Sequence, residues 1–116
     1  MKHVFRSDEV FDSYQDYQKN GGLSKGCVLC DKEPIKKFKY WFITVNDFPY
    51  DRIAKVHNML VPFRHITESE LTDEERNEFV EIKQHYLEDY DFLIEAAEKK
   101  RSVPKHFHIH LIVAKV

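Results

Sequence analysis

The segment HFHIHLIV, residues 106 to 113, limits the backbone to one regular form. Histidine alternates with an apolar residue three times in succession, which is the two-residue period of a strand. His106, His108 and His110 then share one face, and Phe107, Ile109, Leu111 and Val113 share the other. The apolar face needs a cover, and in this chain the candidate covers are helical. An α+β domain follows, with an antiparallel sheet under helices.

Residues 7 to 20, SDEVFDSYQDYQKN, predict a short N-terminal helix, with Ser7 or Asp8 as cap and Val10, Phe11, Tyr14 and Tyr17 at helical spacing. Gly21-Gly22 ends it. FKYWFITV, residues 38 to 45, and KVHNMLVP, residues 55 to 62, are strand candidates, rich in aromatic and β-branched residues or ended by proline. TDEE at 72 to 75 is a capping-box pattern. Phe79, Ile82, Tyr86, Tyr90, Leu93 and Ala97 follow it at spacings of three and four, which predicts one long helix up to Lys99-Lys100-Arg101. The expected order is α, β, β, α, β.

The 116 residues suit one domain, 1 to 116, with 1 to 22 as a helical extension and 23 to 116 as the core. The 18 basic and 20 acidic side chains leave a net charge of -2, which gives no general drive toward large nucleic acids or anionic membranes. No run approaches the roughly 18 apolar residues of a membrane span, and the N-terminus lacks the apolar centre of a secretion signal. A cytoplasmic location is the simplest expectation.

Near neutral pH three imidazoles on one face can serve as nucleophile, acid, base or metal ligand. The only cysteines, Cys27 and Cys30, stand at C-x-x-C spacing. That is a half-site for tetrahedral zinc which two histidines could complete, with a redox dithiol and a buried thiol pair as alternatives. His57 and His65 bracket the segment HNMLVPFRH.

Together HFHIHLIV, HNMLVPFRH and CVLC resemble the histidine triad (HIT) superfamily of nucleotide hydrolases and transferases, CVLC being a feature of its zinc-bearing subset. The resemblance covers roughly residues 27 to 114 and implies a HIT-like sheet with a long helix. It implies an enzyme acting at the α-phosphate of a (di)nucleoside polyphosphate or nucleoside phosphoramidate. His108 is implied as nucleophile through a nucleotidyl-histidine, His110 as its phosphate-side partner, and His57 at the phosphate end. Asn46 is implied as a ribose contact and Phe48 as an apolar neighbour of the base, although Phe48 equally suits the core. Cys27, Cys30, His65 and His106 are implied as ligands of a structural zinc, and a homodimer is implied as well. Relatives carry a Gly-rich donor loop before the triad. This chain departs from that pattern, leaving Ser102 as its remnant and Lys105 and Arg101 as alternative sources of positive charge. A catalytically weak zinc-containing module that binds nucleotide or a protein partner is the competing function.

Overall fold

The structure, a computed structural model of the chain, describes residues 1–21, 26–97 and 103–115. Helix α1 (Asp8–Lys19) forms where expected. Ser7 Oγ accepts the Val10 N–H at 3.2 Å, and Asp8 and Glu9 occupy the first turn, where negative charge suits the helix dipole. Past its end Gly21 adopts φ 78°, a conformation that glycine takes without steric cost.

Among the described residues five antiparallel strands follow: β1 (Lys36–Lys37), β2 (Trp41–Val45), β3 (Ala54–Pro62), β4 (Phe92–Ile94) and β5 (Ile109–Ala114), in the order β1-β2-β3-β5-β4. The strand expected at residues 38 to 45 is shorter at its start. Residues 38 to 40 turn the chain, Phe38 N–H donates to Trp41 O at 2.8 Å, and β1 folds back so that Lys36 faces Ile43. The last strand opens at Ile109, so His106 and His108 lie on the chain leading into β5.

The long helix expected from Thr72 onward is about half that length. Helix α2 spans Asp73–His85 and is started by the predicted box, in which Thr72 Oγ1 accepts the Glu75 N–H and Glu75 Oε1 accepts the Thr72 N–H. Beyond it the apolar spacing persists, but the structure does not. Tyr86 is exposed, Leu87 drops into the core, and Phe92-Leu93-Ile94 pair with β5 as strand β4. Phe, Leu and Ile fit a strand as well as a helix, and the open edge of β5 offers backbone hydrogen bonds that a continued helix would leave unmade.

Alternation along the strands divides the sheet into two faces. One carries Trp41, Ile43, Leu60, Phe107, Ile109 and Leu111, and α2 covers it through Phe79 and Ile82. Trp41 anchors this layer: its ring meets Phe79 edge-on at 5.0 Å, and its Nε1–H donates to Glu75 O at 2.8 Å. The opposite face carries Leu29, Phe42, Met59 and Val61, together with four buried histidines, His57, His106, His108 and His110. The turn at residues 27 to 31 and the N-terminal segment lie over this second face. No described helix is long and apolar enough to cross a membrane.

Candidate active site and metal centre

Three of the four buried imidazoles have a backbone neighbour whose hydrogen-bonding role is fixed, and the tautomer of the fourth, His110, follows from that of His57. The Tyr50 backbone N–H can only donate, and it meets His57 Nδ1 at 2.9 Å. The neutral ring then carries its proton on Nε2, which donates to His110 Nδ1 at 2.8 Å. His110 in turn holds its proton on Nε2, 3.4 Å from Tyr50 Oη. On His108, Nδ1 lies 3.0 Å from the His106 carbonyl and must donate, so the lone pair is on Nε2. On His106, Nε2 donates to Pro62 O at 2.8 Å, which leaves the lone pair on Nδ1.

The same alternation thus gives three rings three roles. His106 Nδ1 faces Cys27 Sγ at 3.2 Å and Cys30 Sγ at 3.5 Å, and His65 Nδ1 lies 3.4 Å from Cys30 Sγ. The four candidate ligand atoms lie within 4.8 Å of one another. With zinc–sulfur bonds of about 2.3 Å and zinc–nitrogen bonds of about 2.0 Å, a tetrahedral shell has sulfur–nitrogen edges of roughly 3.5 Å. The cluster is therefore close enough to hold a metal ion and compatible with zinc. Burial and the neighbouring Cys27 push the Cys30 thiol up to about 11, and a divalent cation acts in the opposite direction.

The segment carrying His65 is fixed from the helix side. Arg64 grips Glu75 with Nη2 to Oε1 at 2.7 Å and Nε to Oε2 at 3.1 Å. The Arg64 hydrogen bond holds the Glu75 carboxyl below its ordinary range.

His57 and His110 are both pulled down to about 3, first by burial; the nearby charges of Arg6 and His108 push each of them the same way. At pH 7 a ring whose pKa is pulled that far down is neutral. His110 is therefore a neutral hydrogen-bond donor. His57 sits behind it and fixes its orientation.

His108 lines a cavity with Asn46, Phe48, Met59, Val28, Leu29 and Lys32. Asn46 Oδ1 accepts the Phe48 N–H at 2.8 Å, which shapes the turn after β2. The Asn46 amide nitrogen has the Met59 sulfur at 3.5 Å and His57 Nε2 at 3.4 Å. Phe48 is half-buried, between the rings of Tyr14 at 5.1 Å and Tyr17 at 5.2 Å. Of the positions expected to supply positive charge, Lys105 is exposed and lines a different cleft, beside Cys27 and His65. Arg101 and Ser102 lie outside the described residues.

Sequence reasoning missed the contribution of the N-terminal segment. Arg6, Tyr14 and Tyr17 line the His108 cavity, and Tyr50 closes the His57–His110 chain. The tyrosines of α1 were legible as an apolar stripe, but nothing local says which surface the stripe meets. A single arginine ahead of a helix cap carries no signal of its own.

No family model and no curated protein matches the sequence. Solved structures do match. A HIT family hydrolase from Clostridium thermocellum superposes with a TM-score of 0.58 at 18% identity, over 79% of this chain and 92% of the other. A HIT family hydrolase from Legionella pneumophila gives 0.56 at 17%, over 78% and 95%. A histidine triad protein from Clostridium difficile gives 0.53 at 18%, over 78% and 90%. The likeness is one of architecture: the chain has the histidine triad fold.

Proposed function

We propose that this chain is a nucleotide hydrolase or nucleotidyl transferase acting at the α-phosphate of a (di)nucleoside polyphosphate or nucleoside phosphoramidate, with His108 as nucleophile. One observation carries the reading. The His106 carbonyl holds His108 Nδ1–H at 3.0 Å, which puts the nucleophilic lone pair on Nε2 of a ring lining the cavity. A neutral imidazole nitrogen is a competent nucleophile at pH 7. Nε2 bonds to phosphorus as the bond to the leaving group breaks, and the new positive charge on the ring is shared through Nδ1–H with the carbonyl. Water or another acceptor then attacks phosphorus and releases its proton to solvent, the N–P bond breaks with its electron pair returning to Nε2, and His108 returns to neutral. His110, oriented by His57, donates its Nε2–H to a phosphoryl oxygen. Asn46 contacts the ribose, and Phe48 flanks the base.

Cys27, Cys30, His65 and His106 hold a structural zinc in this reading. Four protein ligands close the shell, so the ion ties the cysteine turn and the His65 segment to the chain leading into β5. The named solved neighbours that are hydrolases support the reaction class by fold analogy.

The test is turnover across a panel of dinucleoside polyphosphates and nucleoside phosphoramidates. His108→Ala is expected to lower kcat by more than about a thousandfold while the fold and zinc content stay unchanged. Unchanged turnover by that variant overturns the assignment of the nucleophile. Nucleotide binding without turnover by the wild-type chain points instead to a nucleotide-binding module.

A further inference from the structure

The N-terminal segment brings a buried cation to the cavity that contains His108. Arg6 is only 7% exposed. Its Nε donates to Phe48 O at 2.8 Å, and its guanidinium lies 4.7 Å from the Tyr14 ring centre and 4.9 Å from that of Tyr50. Among the described residues its side chain makes no other hydrogen bond and no ion pair. Asp51 attracts it weakly and has Oδ1 committed to the Ser7 N–H at 2.7 Å. Lys32, the other cation lining this cavity among the described residues, is already paired with Asp47 at 2.9 Å.

The location of this charge is specific. Arg6 lines the cavity that contains His108 and also the neighbouring one that contains His110. Tyr14 lines both as well, and its hydroxyl is buried with no hydrogen-bond partner among the described residues. His57 and His110 are neutral, so neither offset the charge of an anion there. A buried guanidinium without a carboxylate is unfavourable until an anion joins it, and its planar fork matches phosphate.

We infer that Arg6 is the cation that receives the substrate phosphate beside His108, with the Tyr14 hydroxyl as a second donor. The inference rests on the nucleotide reading above and names the residue that meets the phosphate charge in it. The terminal N–H groups of Arg6 donate to the non-bridging phosphoryl oxygens, on which negative charge rises as His108 Nε2 bonds to phosphorus. The N-terminal segment is thereby part of the binding site. It is fastened there by Arg52, whose backbone N–H donates to Phe5 O at 2.8 Å and whose Nε donates to Arg6 O at 2.6 Å.

Calorimetric titration of the zinc-loaded chain tests this with a purine nucleoside 5′-monophosphate and its uncharged parent nucleoside. The monophosphate is expected to bind the wild type about 10- to 100-fold more tightly than the nucleoside. Arg6→Gln removes that advantage, weakening the monophosphate far more than the nucleoside, and Arg6→Lys restores part of it. In the wild type, the Arg6 side-chain nitrogen resonances shift with the monophosphate and not with the nucleoside, a reading that needs no variant to fold.

Equal weakening of both ligands in Arg6→Gln, an undiminished monophosphate advantage, or silent Arg6 resonances overturns the inference. Arg6-dependent monophosphate binding without any His108 adduct supports Arg6 and removes the catalytic reading. An adduct that forms equally fast in Arg6→Gln removes Arg6 and leaves the catalytic reading standing.

Discussion

A histidine gains a definite chemical identity only when something fixes its proton, and here the backbone does so for His57, His106 and His108. Nitrogen NMR of the labelled chain is therefore expected to show His108 as the Nδ1–H tautomer and His57 as the Nε2–H tautomer. His57 and His110 should remain neutral from pH 8 to pH 5, and a titration midpoint near 6.5 for either would contradict the burial described. The same shift sets a stability trend. The unfolded rings take up protons near pH 6.5, whereas the folded ones resist until about 3. Between those values the unfolded state binds more protons, so the unfolding free energy falls as pH falls. Thermal midpoints measured at constant metal content should decline from pH 7 to pH 5, and His57→Gln should flatten the decline. That variant should also lower kcat about 10- to 100-fold with zinc retained, since it removes the ring that orients His110. At this scale the shared face of the triad was legible in the sequence, because a period of two is a local property. Arg6 and Tyr50 were not, because their roles depend on where a distant segment comes to rest.

Elements show where local pattern misleads. The box at Thr72 and Glu75 fixed the start of α2 because capping involves residues only three apart. Thr72→Ala is expected to cost about 1 kcal/mol and lower the melting temperature by about 4 °C. The end of α2 was misread because Tyr90 and Leu93 keep helical spacing while serving other ends. Tyr90 Oη accepts the Asn58 Nδ2–H at 2.7 Å, and Leu93 pairs with Leu111 in the sheet. Only the unpaired edge of β5, a tertiary fact, decides between the two forms. The cluster of Cys27, Cys30, His65 and His106 is the opposite case. Its four candidate ligand residues come from the cysteine turn, the chain after β3 and the chain before β5, yet the motifs taken together named them. Cys30→Ser is expected to lower bound zinc from about one per chain toward zero and to depress the melting temperature. Full zinc occupancy in that variant would remove Cys30 from the shell.

At the level of the whole molecule, one sheet separates two environments. The α2 face is a packed apolar core, and the opposite face is given over to imidazoles, with the cysteine cluster at one end and the N-terminal segment at the other. The fold class followed from the need to cover one face of HFHIHLIV. The hairpin made by β1, the strand β4 and the use of α1 as part of the site wall did not, since each depends on the assembled sheet. Attack of His108 on phosphorus is checked by incubating the chain with a dinucleoside polyphosphate or nucleoside phosphoramidate, quenching under alkaline denaturing conditions, and mapping modified peptides by mass spectrometry. A nucleotidyl group on His108, absent in His108→Ala, is the predicted result. Turnover with no adduct trapped, or an adduct on a different residue, would contradict it.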